Sequence, residues 1–186
     1  MNLRTLINES SAPDVLVRNL TLDTRTLAPG DVFVALPGAE HDGRDFIERA
    51  LAAGAAAVLM EPGRELHQDD ARVIPISDLK GELGVLANRL YGSPSGDLKV
   101  VAATGTNGKT SVVDLTAQML RRTGRKTGTI GTLGMRLDQQ PTETRNTTPD
   151  CLALHRQLRQ WRDGGVECVM LEASSHALEQ GRLDGL

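Results

Sequence analysis

The feature that most constrains the fold is a glycine-rich segment placed directly after an apolar run. Residues 98–103 read Leu-Lys-Val-Val-Ala-Ala, and the segment Gly105-Thr106-Asn107-Gly108-Lys109-Thr110-Ser111 follows after a single threonine. Glycines let the backbone approach an anion without an intervening side chain, and the N–H groups at the start of the next helix then point at that anion. The segment therefore predicts a buried strand, a phosphate-binding loop and a helix, in that order.

The residues of this loop indicate ATP with Mg²⁺ as the cofactors. Lys109 can bridge the β- and γ-phosphates as the catalytic cation, and the Thr110 hydroxyl can hold Mg²⁺. The loop is shorter than the usual GxxxxGK[ST] pattern, whose first glycine would stand at Ala103. A glycine-rich turn with a surface lysine is the alternative, and the strand before the loop and the helix after it disfavour that alternative.

Strand and helix patterns alternate through the second half of the chain. Further strands are predicted at 126–130 and 166–171, with an irregular excursion or hairpin over 132–145. The helix after the loop is predicted to turn one apolar stripe to the core, namely Val112, Leu115, Met119 and Leu120. A second helix carries apolar residues at helical spacing, at Cys151, Leu154, Leu158 and Trp161. The alternation predicts an α/β fold with a mainly parallel sheet.

The first half predicts a smaller α/β unit. Strands are expected at 31–36, 55–60 and 72–76, the last one at a sheet edge because it contains Pro75. Helices are expected over 45–53 and from Leu79 to Leu90. The break Tyr91-Gly92-Ser93-Pro94-Ser95-Gly96 predicts a boundary between two domains, residues 1–95 and 96–186.

Composition excludes several classes of partner. The net charge is −3 and no basic run stands out, so binding to nucleic acid or to an anionic membrane is not expected. No apolar stretch approaches the ~20 residues of a membrane span. Cys151 and Cys168 lack metal-ligand spacing and are expected to be free buried thiols in a reducing cytoplasm. We expect a cytoplasmic monomer.

Two further segments have both a structural and a functional interpretation. Asn146-Thr147-Thr148-Pro149-Asp150 can start a helix, with Thr148 as N-cap, or can contact a polar ligand. Glu172 ends the third predicted strand, where open α/β sheets bind their ligands, and its carboxylate can hold Mg²⁺. A capped loop with an exposed His176 is the alternative there.

Together, four segments resemble the Mur ligases, the ATP-dependent amide-bond-forming enzymes of peptidoglycan synthesis. In chain order they are LTLDTRTLAPGDVFVALPG, ATGTNGKTS, NTTPD and MLEASSHALEQGR. The resemblance covers essentially the whole chain. The phosphate loop alone would also fit folylpolyglutamate synthetases and cyanophycin synthetase-like enzymes. The TTPD and E-x-S-S-H-x-L-x-Q-x-R segments make the resemblance strongest to the members that add the third amino acid of the peptide.

The resemblance implies a fold and a set of site residues. The fold would be a small N-terminal α/β uridine-nucleotide-binding domain followed by the first part of a P-loop, Rossmann-like central ATPase domain. Gly105 to Ser111 would bind ATP, and Thr110 and Glu172 would bind Mg²⁺. The substrate-binding residues would be Leu22, Thr24, Asn146, Thr147, Thr148, Ser174, Gln180 and Arg182. Residues 39–41, Ala-Glu-His, depart from the common form of a substrate-contacting segment.

The implied reaction activates a carboxylate with ATP. ATP phosphorylates the terminal carboxylate of UDP-N-acetylmuramoyl-L-alanyl-D-glutamate to an acyl phosphate. The amine of a free amino acid then attacks the acyl carbon, and phosphate leaves from a tetrahedral intermediate. The overall resemblance favours meso-diaminopimelate over lysine as that amino acid. Family members also have a downstream carbamylated lysine and a third domain, which these 186 residues do not contain. The chain is therefore expected to be part of a longer protein and to be inactive in ligation alone.

Three other functions stay open from the sequence. A folylpolyglutamate synthetase-type ligase usually has glycine where Thr110 stands. A different class is a GTPase-like switch or kinase; no N-K-x-D segment and no D-x-x-G segment follows the loop, which disfavours a GTPase. A non-catalytic binding module would use residues 1–95 to hold the sugar nucleotide.

Overall fold

A computed structural model divides the chain into two α/β units. The two units are Met1–Leu86 and Ala87–Leu186. The structure describes residues 1–38, 41–63, 70–137, 140–142 and 149–186. The domain boundary at residue 95 stays a prediction.

The first unit contains a four-stranded parallel sheet in the order β1-β2-β3-β4. Its elements are α1 (Leu3–Ile7), β1 (Leu20–Thr21), β2 (Val32–Ala35), a 3-10 turn (Gly43–Phe46), α2 (Ile47–Ala52), β3 (Ala57–Met60), β4 (Val73–Pro75) and the start of α3 (Leu79–Tyr91). The three predicted strands are confirmed, and β4 lies at the edge, as Pro75 indicated. Both β2 and β3 are buried along their whole length. The sequence analysis did not predict α1 or β1.

The second unit contains a five-stranded sheet in the order β5-β9-β6-β7-β8. Its elements after α3 are α4 (Pro94–Asp97), β5 (Lys99–Ala103), α5 (Lys109–Arg122), β6 (Thr127–Gly131), β7 (Gly134–Leu137), β8 (Gln140–Thr142), α6 (Cys151–Asp163), β9 (Cys168–Glu172) and α7 (Ser175–Glu179). Strand β9 pairs in parallel with β5 and β6, while β6, β7 and β8 are antiparallel neighbours. The predicted α/β class with mainly parallel sheets is confirmed, and the excursion after β6 is a hairpin in its described part.

Helix α6 supplies the apolar face of the second core. Leu154, Leu158 and Trp161 pack with Ile130 and Val169 of the sheet. Every α6 position predicted to face the core is buried. The two cysteines are free and buried, as expected. Burial, with further contributions from the charges of neighbouring aspartates, raises the pKa of the Cys151 thiol to about 12, so this thiol is not a ready nucleophile.

The contact between Gly128 and Trp161 makes one position of this core sensitive to a single methyl group. A Cβ placed on Gly128 would lie 2.6 Å from the nearest atom of the Trp161 ring. We expect Gly128→Ala to lower the free energy of unfolding by about 1–3 kcal/mol, because the ring has to shift within a packed core. Chemical denaturation measures this change. Gly96→Ala is the matched control, since a Cβ there meets nothing within 4 Å; equal losses in both variants would contradict the steric explanation.

The predicted inward stripe of α5 is wrong. Val112 and Met119 are 53% and 67% exposed, and Leu115 is also exposed, whereas Val113 and Ala117 are buried against Met170 of β9. Only Leu120 of the predicted stripe packs toward that cluster. The helix carries two apolar stripes, and the one with the smaller side chains faces the sheet.

The expectation that residues 98–103 form a strand buried on both faces is also wrong. Strand β5 is first in the strand order and, within the described residues, pairs with β9 alone. Val101 is consequently 51% exposed. An apolar run cannot distinguish a central strand from an edge strand, because both present the same residue types.

Every helix in the described ranges is too short or too polar to cross a bilayer.

Candidate functional site

The glycine loop joins the end of β5 to the start of α5. Gly105 has φ +143° and Gly108 has φ +81°, values that residues with a Cβ rarely adopt. Gly108 is also the N-cap of α5, and it has no side chain to accept a hydrogen bond from the first N–H groups of that helix. The residues from Gly105 to Gly108 are exposed. The loop thus presents backbone donors at a helix N-terminus, which is the arrangement that binds phosphate.

Lys109 lies over the loop that it follows. Its Nζ donates a hydrogen bond of 2.6 Å to the carbonyl oxygen of Gly105. An ammonium group has further N–H donors beyond this bond. The structure therefore places the ammonium group of Lys109, the predicted catalytic cation, against the loop whose N–H groups are the predicted phosphate donors.

Glu172 lies beside this loop at the carboxyl end of β9. The sheet register pairs Glu172 with Ala103, the last residue of β5. The Glu172 side chain is 2% exposed, and its two oxygens accept hydrogen bonds from Thr132, one from the backbone N–H at 2.9 Å and one from the hydroxyl at 3.1 Å. The topology therefore brings the predicted metal ligand to the same sheet edge as the loop, where parallel α/β sheets bind ligands.

Thr110 and Glu172 line the same open cleft. A threonine hydroxyl and a carboxylate are oxygen ligands of the kind that Mg²⁺ prefers, so these residues fit the ion. Arg136 and Asp114 also line the cleft. The Arg136 guanidinium lies 3.9 Å from the Asp114 carboxylate and donates to the carbonyl of Leu133 at 3.2 Å.

Sequence reasoning missed Thr132, Asp114 and Arg136. The available signal was the Gly131-Thr132-Leu133-Gly134 segment, whose two glycines indicate a tight turn between strands. Nothing in the sequence indicated that this turn meets Glu172, which lies 40 residues away.

The predicted substrate residues after β9 lie around the short helix α7. Ser174 is its N-cap and accepts a hydrogen bond from the backbone N–H of Ala177. Beyond the helix, the Gln180 side-chain oxygen accepts hydrogen bonds of 2.9 Å and 2.6 Å from the Arg182 guanidinium. Gln180 and Arg182 therefore form one polar pair, with Ser174 at the opposite end of the helix. Their substrate contacts remain a prediction.

Asn146, Thr147 and Thr148 lie outside the described residues. The helix that follows them begins later than expected. Asp150, not Thr148, is the N-cap of α6, and its carboxylate accepts a hydrogen bond of 2.9 Å from the N–H of Ala153. The carboxylate of Asp150 is an effective N-cap, so the helix starts at Cys151 and Pro149 lies before it.

Leu22 and Thr24 follow β1, at the carboxyl edge of the first unit's parallel sheet. Leu22 is 38% exposed, and Thr24 is half-buried. The turn is held by the Asp23 carboxylate, which pairs with Arg25 at 2.6 Å and so raises the pKa of the Arg25 guanidinium. This turn places Leu22 at the surface, as a ligand contact requires. Of the neighbouring segment 39–41, residues 39 and 40 lie outside the described residues.

Two family matches cover most of the chain. Residues 16–91 match "Mur ligase family, catalytic domain", and residues 103–186 match "Mur ligase middle domain". The chain belongs to the Mur ligase family. The loop, Thr110 and Glu172 all lie within the region matched to the middle domain.

Curated relatives in this family are substantially longer than the chain. A UDP-N-acetylmuramoyl-L-alanyl-D-glutamate--2,6-diaminopimelate ligase from Pseudomonas putida is 48% identical over 93% of the chain and 35% of its own length. The protein of the same name from Pseudomonas aeruginosa is 44% identical over 100% of the chain and 38% of its own length. The chain thus spans little more than a third of these Mur ligases.

Solved structures agree with this assignment. A UDP-N-acetylmuramoyl-L-alanyl-D-glutamate--2,6-diaminopimelate ligase superposes with a TM-score of 0.82 at 30% identity, over 100% of this chain and 38% of its own. A MurF ligase from Thermotoga maritima, solved in complex with ADP, has a TM-score of 0.58 at 26% identity over 88% of this chain and 33% of its own.

Proposed function

We propose that the chain is the N-terminal part of an ATP-dependent ligase that adds meso-diaminopimelate to UDP-N-acetylmuramoyl-L-alanyl-D-glutamate. The observation that carries the proposal is the coincidence of a Mur ligase phosphate loop with a buried carboxylate at the same sheet edge. The names of the relatives at 48% and 44% identity support the choice of substrates.

In this proposal the loop residues bind and orient ATP. The N–H groups from Gly105 to Ser111, including those of Thr106 and Asn107, surround the phosphates, and Lys109 exchanges its bond to Gly105 for the phosphoryl oxygens. These donors stabilise the negative charge that develops when the phosphoryl group passes to the substrate carboxylate. Thr110 and Glu172 hold Mg²⁺, which supplies charge neutralisation at the phosphate oxygens when bound.

The remaining candidates bind the uridine-nucleotide substrate. Leu22 and Thr24 contact its nucleotide part. Six polar residues contact its muramoyl-peptide part, namely Asn146, Thr147, Thr148, Ser174, Gln180 and Arg182. The exposed position of Leu22 and the polar pair formed by Gln180 and Arg182 support these roles. We further propose that the protein is cytoplasmic, because ATP and the soluble sugar-nucleotide substrate are available in that compartment, and that it is a monomer.

A phosphate-release assay on the full-length gene product tests the proposal. We expect turnover that requires ATP, Mg²⁺, the UDP-linked dipeptide and diaminopimelate together, with lysine a poor replacement. The same assay on the 186-residue chain is expected to give no turnover. Activity with a folate and glutamate, but not with the UDP-linked dipeptide, would instead identify a folylpolyglutamate synthetase-type ligase.

A further inference from the structure

The turn between β6 and β7 lies against the carboxylate of Glu172. Gly131 pairs with Gly134 across the turn, which leaves Thr132 and Leu133 as its two central residues. A Cβ added to Gly131 would meet the Glu172 side chain, with its Cγ and Cδ both at 2.6 Å. Glycine at residue 131 is therefore what allows the turn to approach this closely.

Thr132 contacts both oxygens of the same carboxylate. Its backbone N–H donates to Oε1 at 2.9 Å, and its hydroxyl lies 3.1 Å from Oε2 as a donor. Two donors from one residue fix the plane of the carboxyl group as well as its position. Thr132 itself is exposed, while the carboxylate that it holds is buried.

The turn is also attached to the helix that carries the phosphate loop. Arg136 of β7 donates to the carbonyl oxygen of Leu133 and pairs with Asp114 of α5. Asp114 in turn accepts a hydrogen bond of 2.7 Å from Gln118. Because α5 begins at Lys109 and Thr110, this set of contacts links the turn that holds Glu172 to the helix that carries Thr110, another residue that lines the cleft.

We propose that Thr132 is a positioning residue for the metal-binding carboxylate of Glu172. The inference rests on the proposed function, which makes Glu172 a ligand of Mg²⁺. Residues that hydrogen-bond a ligating side chain fix its orientation before the ion arrives, and their loss typically costs ~10–100-fold in metal affinity. The hydroxyl of Thr132 is the part of this arrangement that a side-chain substitution removes, since every residue except proline keeps the backbone N–H at 132.

The test measures Mn²⁺ binding in the presence of saturating ADP, by proton relaxation enhancement on the full-length gene product. Thr132→Val replaces the hydroxyl by a methyl group of similar size, and we expect it to raise the Kd for Mn²⁺ about 10-fold. Thr132→Ser, which keeps the hydroxyl, is expected to stay within about twofold of the unsubstituted protein on the same reasoning. Thr127→Val is the matched control, since the Thr127 hydroxyl is buried in β6 and bonds only to the Arg125 carbonyl in the described contacts.

A second readout separates positioning from general damage. If Thr132 positions the ligand, excess Mg²⁺ restores the ligation rate of Thr132→Val, whereas a misfolded variant stays slow at every Mg²⁺ concentration. Thr132→Ala is measured in parallel, so that the conclusion does not depend on how valine packs. Recovery by excess Mg²⁺ in both variants supports the inference, and slow turnover in both at all concentrations overturns it.

Glu172→Gln distinguishes this inference from the proposed function. If Glu172→Gln weakens Mn²⁺ binding while both Thr132→Val and Thr132→Ala bind as the unsubstituted protein does, the role of Thr132 is wrong and the metal site stands. If Glu172→Gln also binds Mn²⁺ normally, Glu172 is not a metal ligand, and the proposed role of Thr132 is wrong as well.

Discussion

Replacing Lys109 by alanine is expected to lower the ligation rate by roughly 10²-fold or more, which is the usual effect of removing one contact to charge that develops in a transition state. The fold should persist, because the only described bond of the Lys109 side chain is the one to the Gly105 carbonyl at an exposed loop. Steady-state kinetics of the full-length gene product measure the rate. Circular dichroism and thermal unfolding check that the variant is folded.

Lys126→Ala is the matched control for this substitution. The Lys126 ammonium also donates to a backbone carbonyl, that of Gly164, at 2.7 Å. It lies just before β6, at the amino end of a strand whose carboxyl end faces the cleft. We expect near-normal turnover for Lys126→Ala. A well-folded Lys109→Ala enzyme with the same near-normal turnover would remove Lys109 from the mechanism.

The part of the site that is local in sequence could be predicted before the structure. The loop from Gly105 to Ser111 is specified by its own residues, because glycine spacing and the following helix determine where the N–H groups point. The meeting of Glu172 with this loop follows from topology, since the ends of β5 and β9 come together once the strands are parallel.

The parts that depend on distant packing could not be predicted. Thr132 meets Glu172 only because the β6–β7 turn folds over the end of β9, and no local pattern specifies that contact. The prediction of which face of α5 packs against the sheet was wrong for a related reason. Its two apolar stripes are equivalent as sequence patterns, and the close approach of Ala117 to the sheet decided between them.

Glu172→Gln is the second substitution expected to have a large effect on ligation. The amide keeps the size of the side chain but removes the negative charge that binds Mg²⁺, so we expect a rate loss of roughly 10²-fold at moderate Mg²⁺. One of the two Thr132 donors would also face the amide NH₂ group, which cannot accept a hydrogen bond. A hydrogen bond to a charged group contributes about 1.5–3 kcal/mol net. Because Thr132 is exposed, water can take the donor that the amide leaves unpaired, and we expect the variant to remain folded.

Glu167→Gln is the control that makes this result specific to the cleft. Glu167 precedes β9 and is exposed, and its carboxylate pairs with Arg125 at 3.3 Å. Exposed ion pairs contribute little, so Glu167→Gln should leave both the rate and its Mg²⁺ dependence unchanged. The test measures the ligation rate as a function of Mg²⁺ concentration for the unsubstituted protein, Glu172→Gln and Glu167→Gln. If the curves for Glu172→Gln and Glu167→Gln coincide, the buried carboxylate at the end of β9 has no part in binding the ion.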